Sequence, residues 1–145
     1  MIISAHSESG EVPLSERELK KIVREILQQE NLELDGEIRF IFTDDEYIRQ
    51  LNREFLKHDY ATDVISFPLE ADDDYLDGEI YISRERAEEQ AKERGLPVQE
   101  ELWRLVIHGL LHLLGYDDLS EEKRREMFSV QESYLEKFGL KGKEQ

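Results

Sequence analysis

Apolar residues recur with the helical period in several segments of this chain and alternate with polar residues in others. The first helical segment follows Ser15, whose side chain can form a capping box with Glu18. Further helical patterns begin after Thr43, after Ser83 and near residue 121. Three short segments favour strands, at residues 38–42, 64–69 and 78–83. The acidic segment 72–78 predicts a loop with an Asp-Gly turn.

Residues 102–114 form the most apolar segment of the chain. They are interrupted only by Arg104, His108 and His112, which predicts a buried central helix. Helices and a few strands follow one another without regular alternation of strand and helix. The sequence therefore predicts one α+β domain over residues 1–145, with a small, mostly four-stranded mixed sheet packed with about five helices.

Composition narrows the classes of function. The chain has 145 residues, no cysteine, no apolar segment long enough to span a bilayer and no apolar leader, so we expect a cytoplasmic protein without membrane contact. A net charge of −16 argues against broad attraction to nucleic acid phosphates, and no DNA partner is expected. Any RNA site must be local. The basic clusters available for it are Lys20, Lys21 and Arg24; Arg49, Arg53 and Lys57; and Lys123, Arg124 and Arg125.

Two histidines on the predicted central helix have the spacing of metal ligands. His108 and His112 are four residues apart, so they share one helix face, with roughly 5–6 Å between Cβ atoms. Gly115 can end the helix and reverse the chain, which brings Asp118 toward the same ion as a third ligand. Three protein ligands leave a coordination position open for water, as in catalytic zinc sites. The competing interpretation is that both histidines are hydrogen-bonded core residues and that Gly115 is only a helix cap.

The spacing also matches the motif of metzincin proteases, with two departures. Gly109 stands where those proteases have their general-base glutamate, which disfavours proteolysis. Asp118 stands where they have a third histidine, and its harder oxygen suits zinc but also manganese or magnesium. We expect one divalent metal ion, with Zn²⁺ as the first candidate. Asp117 could replace Asp118 as the ligand or orient a histidine.

Several segments together resemble the YbeY family of bacterial metal-dependent endoribonucleases. They are residues 51–59, 62–68 (TDVISFP), 78–83 (GEIYIS) and the histidine motif, and the resemblance covers roughly residues 40–135. It implies an α+β fold, a zinc ion held by three residues in a cleft, and cleavage of single-stranded RNA. It also implies roles in maturing the 3′ end of small-subunit (16S) ribosomal RNA and in ribosome quality control.

The chain departs from the family pattern at two positions of the resemblance. Asp118 corresponds to the family's third histidine, and Leu56 stands where the family usually has an arginine, which is expected to contact RNA phosphate or to stabilise charge during cleavage. Arg53 and Lys57 lie within a helical turn of Leu56 and could supply the missing charge. Ser66 is a further candidate for binding substrate, through hydrogen bonds to phosphate.

Three hypotheses follow from these observations. The first is a metal-dependent endoribonuclease, specific for single strands and acting on ribosomal RNA, whose general base is one of Asp117, Asp63 or Glu79. The second is a ribosome-assembly factor that binds the small subunit and has a structural or vestigial metal. The third and least favoured is a metalloprotease.

Overall fold

The computed structural model describes residues 1–8, 10–56 and 62–142. Within these ranges the chain forms a single small domain of five α-helices and four strands. In chain order the elements are β1 (Ile2–Ser7), α1 (Glu16–Gln29), β2 (Asp35–Thr43), α2 (Asp45–Leu51), a π-helical turn (Asn52–Leu56), β3 (Val64–Ala71), β4 (Tyr75–Ser83), α3 (Arg84–Arg94), α4 (Val98–Leu113) and α5 (Glu121–Lys137).

The four strands form one mixed sheet in the order β1-β2-β4-β3. β2 is parallel to both β1 and β4, whereas β3 and β4 form an antiparallel pair. The α+β prediction, with a four-stranded mixed sheet and five helices, is therefore confirmed. None of the helices in the described ranges combines the length and the apolar character needed to cross a lipid bilayer.

Two details of the sheet were not predicted correctly. Strand β1 was not located, because it is a short edge strand whose Ile2 is 63% exposed. The Asp77-Gly78 pair does not form a turn, since β4 begins at Tyr75 and is paired with β2 and β3. The chain reverses earlier, where the amide of Asp72 donates to the carbonyl of Tyr75 over 2.9 Å. Pairing on both sides of β4 outweighs the local turn preference of Asp-Gly.

Two helix starts also differ from the sequence patterns. α2 is capped by Asp44 rather than Thr43, because the Asp44 side chain accepts the amide of Tyr47 over 2.8 Å, while Thr43 ends β2. α4 begins at Val98, one turn before the apolar segment. Its early glutamates are buried and paired with Arg104, so this polar turn lies inside the protein. The predicted end of the second helix, near residues 58–59, lies outside the described ranges.

The main core lies on one face of the sheet, where α4 and α1 cover the strands. It includes Phe40, Ile80, Ile107 and Leu110, all fully buried. A smaller cluster of Ile48, Leu51 and Ile65 lies under α2. Most of α4 is buried, so its polar residues must find partners within the protein.

Gly109 allows α4 to lie directly against the sheet. A Cβ atom at this position would be 2.6 Å from Cγ2 of Ile80 and 3.1 Å from Cγ2 of Val64. The hydroxyl of Ser66 on β3 also donates to the carbonyl of Gly109 over 2.8 Å. The position that carries a glutamate in metzincins therefore faces the sheet in this fold and has no room for a side chain.

We expect Gly109→Ala to destabilise the protein. Overpacking a core contact lowers the free energy of unfolding by about 1–3 kcal/mol. The better helix propensity of alanine raises it by at most about 1 kcal/mol. Urea unfolding of Gly109→Ala, Ile80→Ala and the double variant would measure this. The loss caused by Gly109→Ala should shrink when Ile80 is already alanine, and strictly additive losses would contradict the contact.

Candidate functional site

His108 and His112 lie next to each other on the last two turns of α4. Their ring centroids are 4.8 Å apart and the ring planes meet at 75°. Both side chains are half-buried, in contrast to Gly109, which faces the sheet. The spacing of four residues on one helix therefore brings the two imidazoles together, as predicted.

Gln131 of α5 holds the ring of His108. Nδ1 of His108 lies 2.7 Å from Oε1 of Gln131, and Nε2 of Gln131 donates to Oε2 of Glu132 over 3.1 Å. With the amide oriented in this way, Nδ1 carries the proton and donates it to Gln131. The lone pair of the imidazole then resides on Nε2, which is the arrangement that a metal-binding histidine needs.

His112 lies in surroundings that favour its neutral form. Burial lowers the pKa of His112, and the neighbouring His108 lowers it further. The carboxylates of Asp118 and Asp117 oppose this shift only in part. Neutral imidazole is the form that binds metals, so the surroundings of His112 suit a metal ligand.

The chain reverses after α4, as predicted from the glycine at position 115. Gly115 has a φ of 105°, and the amide of Tyr116 donates to the carbonyl of Leu111 over 3.0 Å. This reversal places Asp117 and Asp118 near the histidines. In the described ranges, however, no three His, Asp or Glu side chains form a group that could hold a metal ion. Two candidate metal ligands are thus adjacent on α4, and Asp118 is not drawn in to complete a set of three.

The carboxylate of Asp117 is engaged by residues that follow it in the chain. Its carboxylate accepts the amide of Leu119 over 3.0 Å and lies 3.3 Å from the ammonium of Lys123. The hydrogen bond from Leu119, together with Lys123, lowers the pKa of Asp117. A carboxylate with a lowered pKa is a weak proton acceptor near neutral pH, so Asp117 is poorly suited to be a general base.

A cavity of about 250 Å³ opens beside His108, between α3, α4 and α5. We call it the His108 cavity. Asp63 lies in its wall, where its carboxylate accepts Gln90 Nε2 over 3.2 Å. Asp118 is also in the wall. The full lining consists of Asp63, Gln90, Arg94, Glu101, Arg104, Leu105, His108, Asp118, Arg124, Met127, Phe128 and Gln131.

A second cavity, of about 390 Å³, opens beside His112, and its wall includes Ser66 and Leu56. Position 56, where the resemblance implies an arginine, therefore lines the same cavity as His112. Leucine at this position adds no charge, and its side chain is 45% exposed. Arg53 is exposed and lines neither cavity, while Lys57 lies outside the described ranges.

Glu79, the third candidate base, lies away from the histidines. Gly78 and Ile80 face α4, so the alternation of β4 directs Glu79 to the opposite face of the sheet. There its carboxylate accepts Arg39 Nε over 3.3 Å and the Tyr81 hydroxyl over 3.2 Å. Of the three candidate bases, only Asp63 lines the His108 cavity.

Sequence reasoning missed a polar network behind His108. Arg104 on α4 donates to Glu100 over 2.8 Å, to Glu101 over 2.5 Å and to Glu132 over 2.8 Å. Burial raises the pKa of Glu132, but the hydrogen bonds from Arg104 and Gln131, together with the charges of Arg104 and Lys141, outweigh it, so this pKa lies below its usual value. Because Glu132 also accepts Gln131, the network extends to His108. The signal in the sequence was Arg104 itself, a charge within an apolar segment, preceded by glutamates three and four positions earlier.

We expect Arg104→Leu to destabilise the protein strongly, because it leaves Glu100 buried without a counter-charge and removes one of the two arginines paired with Glu101. Losing one partner of a buried ion pair costs about 3–5 kcal/mol. The matched control is Arg125→Leu, which breaks the exposed ion pair with Glu121 on α5 and should cost less than about 1 kcal/mol. Chemical denaturation at neutral pH would compare the two, and equal losses would rule out a structural role for the buried network.

Comparisons with known proteins agree on one family. The family model described as Endoribonuclease YbeY matches residues 3–139. A relative named Endoribonuclease YbeY from Bacillus cereus strain G9842 is 41% identical, over 84% of this chain and 85% of the relative. A relative of the same name from Bacillus licheniformis is 36% identical, over 97% of this chain and 96% of the relative. The solution structure of TM1509 from Thermotoga maritima is similar with a TM-score of 0.64 and 36% identity, covering 93% of this chain and 87% of that one.

Proposed function

Because the chain belongs to the endoribonuclease YbeY family, we propose that it is a metal-dependent endoribonuclease that cleaves single-stranded RNA. The observation that carries the proposal is the histidine pair, in which one ring is oriented by Gln131 and the other favours its neutral form. In the cell we propose the 3′ end of small-subunit ribosomal RNA as the substrate, with roles in ribosome quality control, the small subunit as partner and the cytoplasm as location.

The metal in this proposal is one divalent ion, with zinc as the first candidate. His108 and His112 would supply two nitrogen ligands, and Asp118 would have to turn toward them to supply an oxygen; zinc accepts this donor set. Asp118 is the carboxylate best placed for this, because it lines the His108 cavity while Asp117 is held by Leu119 and Lys123. When bound, the ion would lower the pKa of a water molecule and neutralise charge on a phosphoryl oxygen.

The protein's own groups supply orientation and proton transfer. Gln131 fixes the tautomer of His108, so that Nε2 is available at the site. Asp63 is the proposed proton acceptor, since its carboxylate lines the same cavity and is oriented by Gln90. Ser66 already donates its hydroxyl to the carbonyl of Gly109, so its main role is to hold α4 on the sheet.

The second candidate function is a ribosome-assembly factor without turnover. Two observations favour it: Leu56 carries no charge beside His112, and the net charge of −16 opposes RNA binding. Under this alternative the protein binds the small subunit but leaves RNA intact. Proteolysis is not favoured, because Gly109 cannot act as a base and faces the sheet.

The decisive experiment is cleavage of a single-stranded ribosomal RNA fragment by zinc-loaded protein of measured metal content. We expect chelator and His112→Ala to abolish cleavage, and Asp63→Asn to lower its rate by about 10²–10⁴-fold, the usual contribution of a general base. Arg125→Gln, an exposed change on α5, serves as the folded control. Intact RNA in the presence of stoichiometric zinc would favour the assembly-factor alternative, and cleavage that persists in chelator would overturn the metal dependence.

We expect Gln131→Leu to weaken zinc binding by about 10–100-fold, the usual effect of removing the partner that orients a histidine ligand. The affinity would be measured by competition with a chelating dye, without any cleavage assay. Gln99→Leu is the matched control, because Gln99 is exposed and, among the described residues, its side chain donates only to the carbonyl of Pro13. Equal affinity in Gln131→Leu and wild-type protein would contradict the orienting role.

A further inference from the structure

One face of α5 lines the His108 cavity along two turns. Arg124, Met127, Phe128 and Gln131 occupy this face, at the spacing of three and four residues that places side chains in a row. Met127 is buried and Gln131 holds His108, so these two form the inner wall. Arg124 and Phe128 are exposed, which places a cation and an aromatic ring at the opening of the cavity.

Arg124 differs from the other arginines of the cavity in its partners. Arg94 and Arg104 are both paired with Glu101, 3.0 Å and 2.5 Å away. In the described ranges, the guanidinium of Arg124 has no carboxylate or hydrogen-bond partner, although Asp118 lines the same cavity. A guanidinium presents a planar fork of donors that matches phosphate oxygens, so an unpaired one that lines the same cavity as His108 is suited to bind a phosphate.

Phe128 adds a flat apolar surface next to this cation. Its side chain is 60% exposed, and it follows Arg124 by one helical turn. Exposed aromatic rings beside a cationic group are the platforms on which proteins stack the bases of single strands. The cavity of about 250 Å³ is smaller than most ligand pockets, roughly 300–1,000 Å³, and suits one planar base rather than a larger ligand.

We infer that the His108 cavity is a nucleotide subsite, in which Arg124 binds a phosphate of the RNA and Phe128 stacks on the adjacent base. This inference rests on the proposed function and specifies how the strand lies. Arg124 supplies its cation from α5, in the His108 cavity. The arginine that the family resemblance implies would instead stand at position 56, which is Leu56 here and lines the cavity beside His112. The charge missing at position 56 is thus compensated from a different element.

The test of the phosphate contact is binding of a labelled single-stranded ribosomal RNA fragment in the presence of chelator, so that no cleavage occurs. Wild-type protein, Arg124→Gln, Arg124→Lys and Arg125→Gln would be compared over a series of KCl concentrations. Arg125 is the matched control, because it is the next residue on α5 and its guanidinium is paired with Glu121 over 2.6 Å.

We expect Arg124→Gln to weaken binding by about 10-fold and to reduce the slope of log affinity against log salt by about 0.7–1, the value for one lost phosphate contact. Arg124→Lys should restore the slope, and Arg125→Gln should change neither quantity. In zinc-loaded protein, Arg124→Gln should raise KM more than it lowers kcat. Equal effects of Arg124→Gln and Arg125→Gln, with RNA still bound by wild-type protein, would overturn the inference and leave the proposed function intact. Wild-type protein that neither binds nor cleaves RNA would overturn both.

The stacking contact has a separate readout. An abasic nucleotide moved stepwise along the RNA should weaken binding to wild-type protein about 5-fold or more at one position, as expected for a lost base stack. In the Phe128→Ala variant, which lacks the ring, the same abasic nucleotide should not weaken RNA binding any further. Leu119→Ala is the control, because Leu119 is 87% exposed but does not line the cavity. An abasic effect that is unchanged in Phe128→Ala would exclude Phe128 as the platform.

Discussion

The burial of α4 is the constraint on which the rest of this structure depends. The helix packs on the sheet through Gly109, where there is no space for even a methyl group, and α3 and α5 pack against it. Polar side chains on such a helix are stable only if each has a partner. Arg104 meets this requirement through three glutamates, and His108 meets it through Gln131. The same burial that stabilises the fold therefore also orients the candidate metal ligands.

Stability and function share residues in this arrangement. Glu132 accepts Arg104 and Gln131 at once, so the buried ion network and the histidine are linked through one carboxylate. A buried ion pair contributes little net stability compared with apolar packing, but breaking it is costly. In this protein the network has a second effect, since it holds the amide of Gln131 in the orientation that leaves Nε2 of His108 available.

Charge is arranged so that a very acidic protein can still present a site for RNA. Several arginines are paired with carboxylates, among them Arg39, Arg94 and Arg104. Their charges are neutralised locally and attract phosphate only weakly. Attraction for phosphate must therefore come from cations such as Arg124 and from the proposed metal, which makes binding local and dependent on short contacts rather than on a broad basic surface.

The sequence by itself determined the five helices, three of the four strands and the histidine pair, because hydrophobic periodicity and the spacing of four residues are local properties of the chain. It also predicted the chain reversal at Gly115 and the mixed four-stranded sheet. Only the tertiary structure decided that Asp77-Gly78 lies within a strand and that Glu79 faces away from the histidines. It also decided that Gln131 and Arg124, which lie on α5 and outside the histidine motif, line the cavity beside His108. These outcomes depend on which elements pack together, and packing between distant segments is set by the shared burial of their side chains rather than by any local pattern.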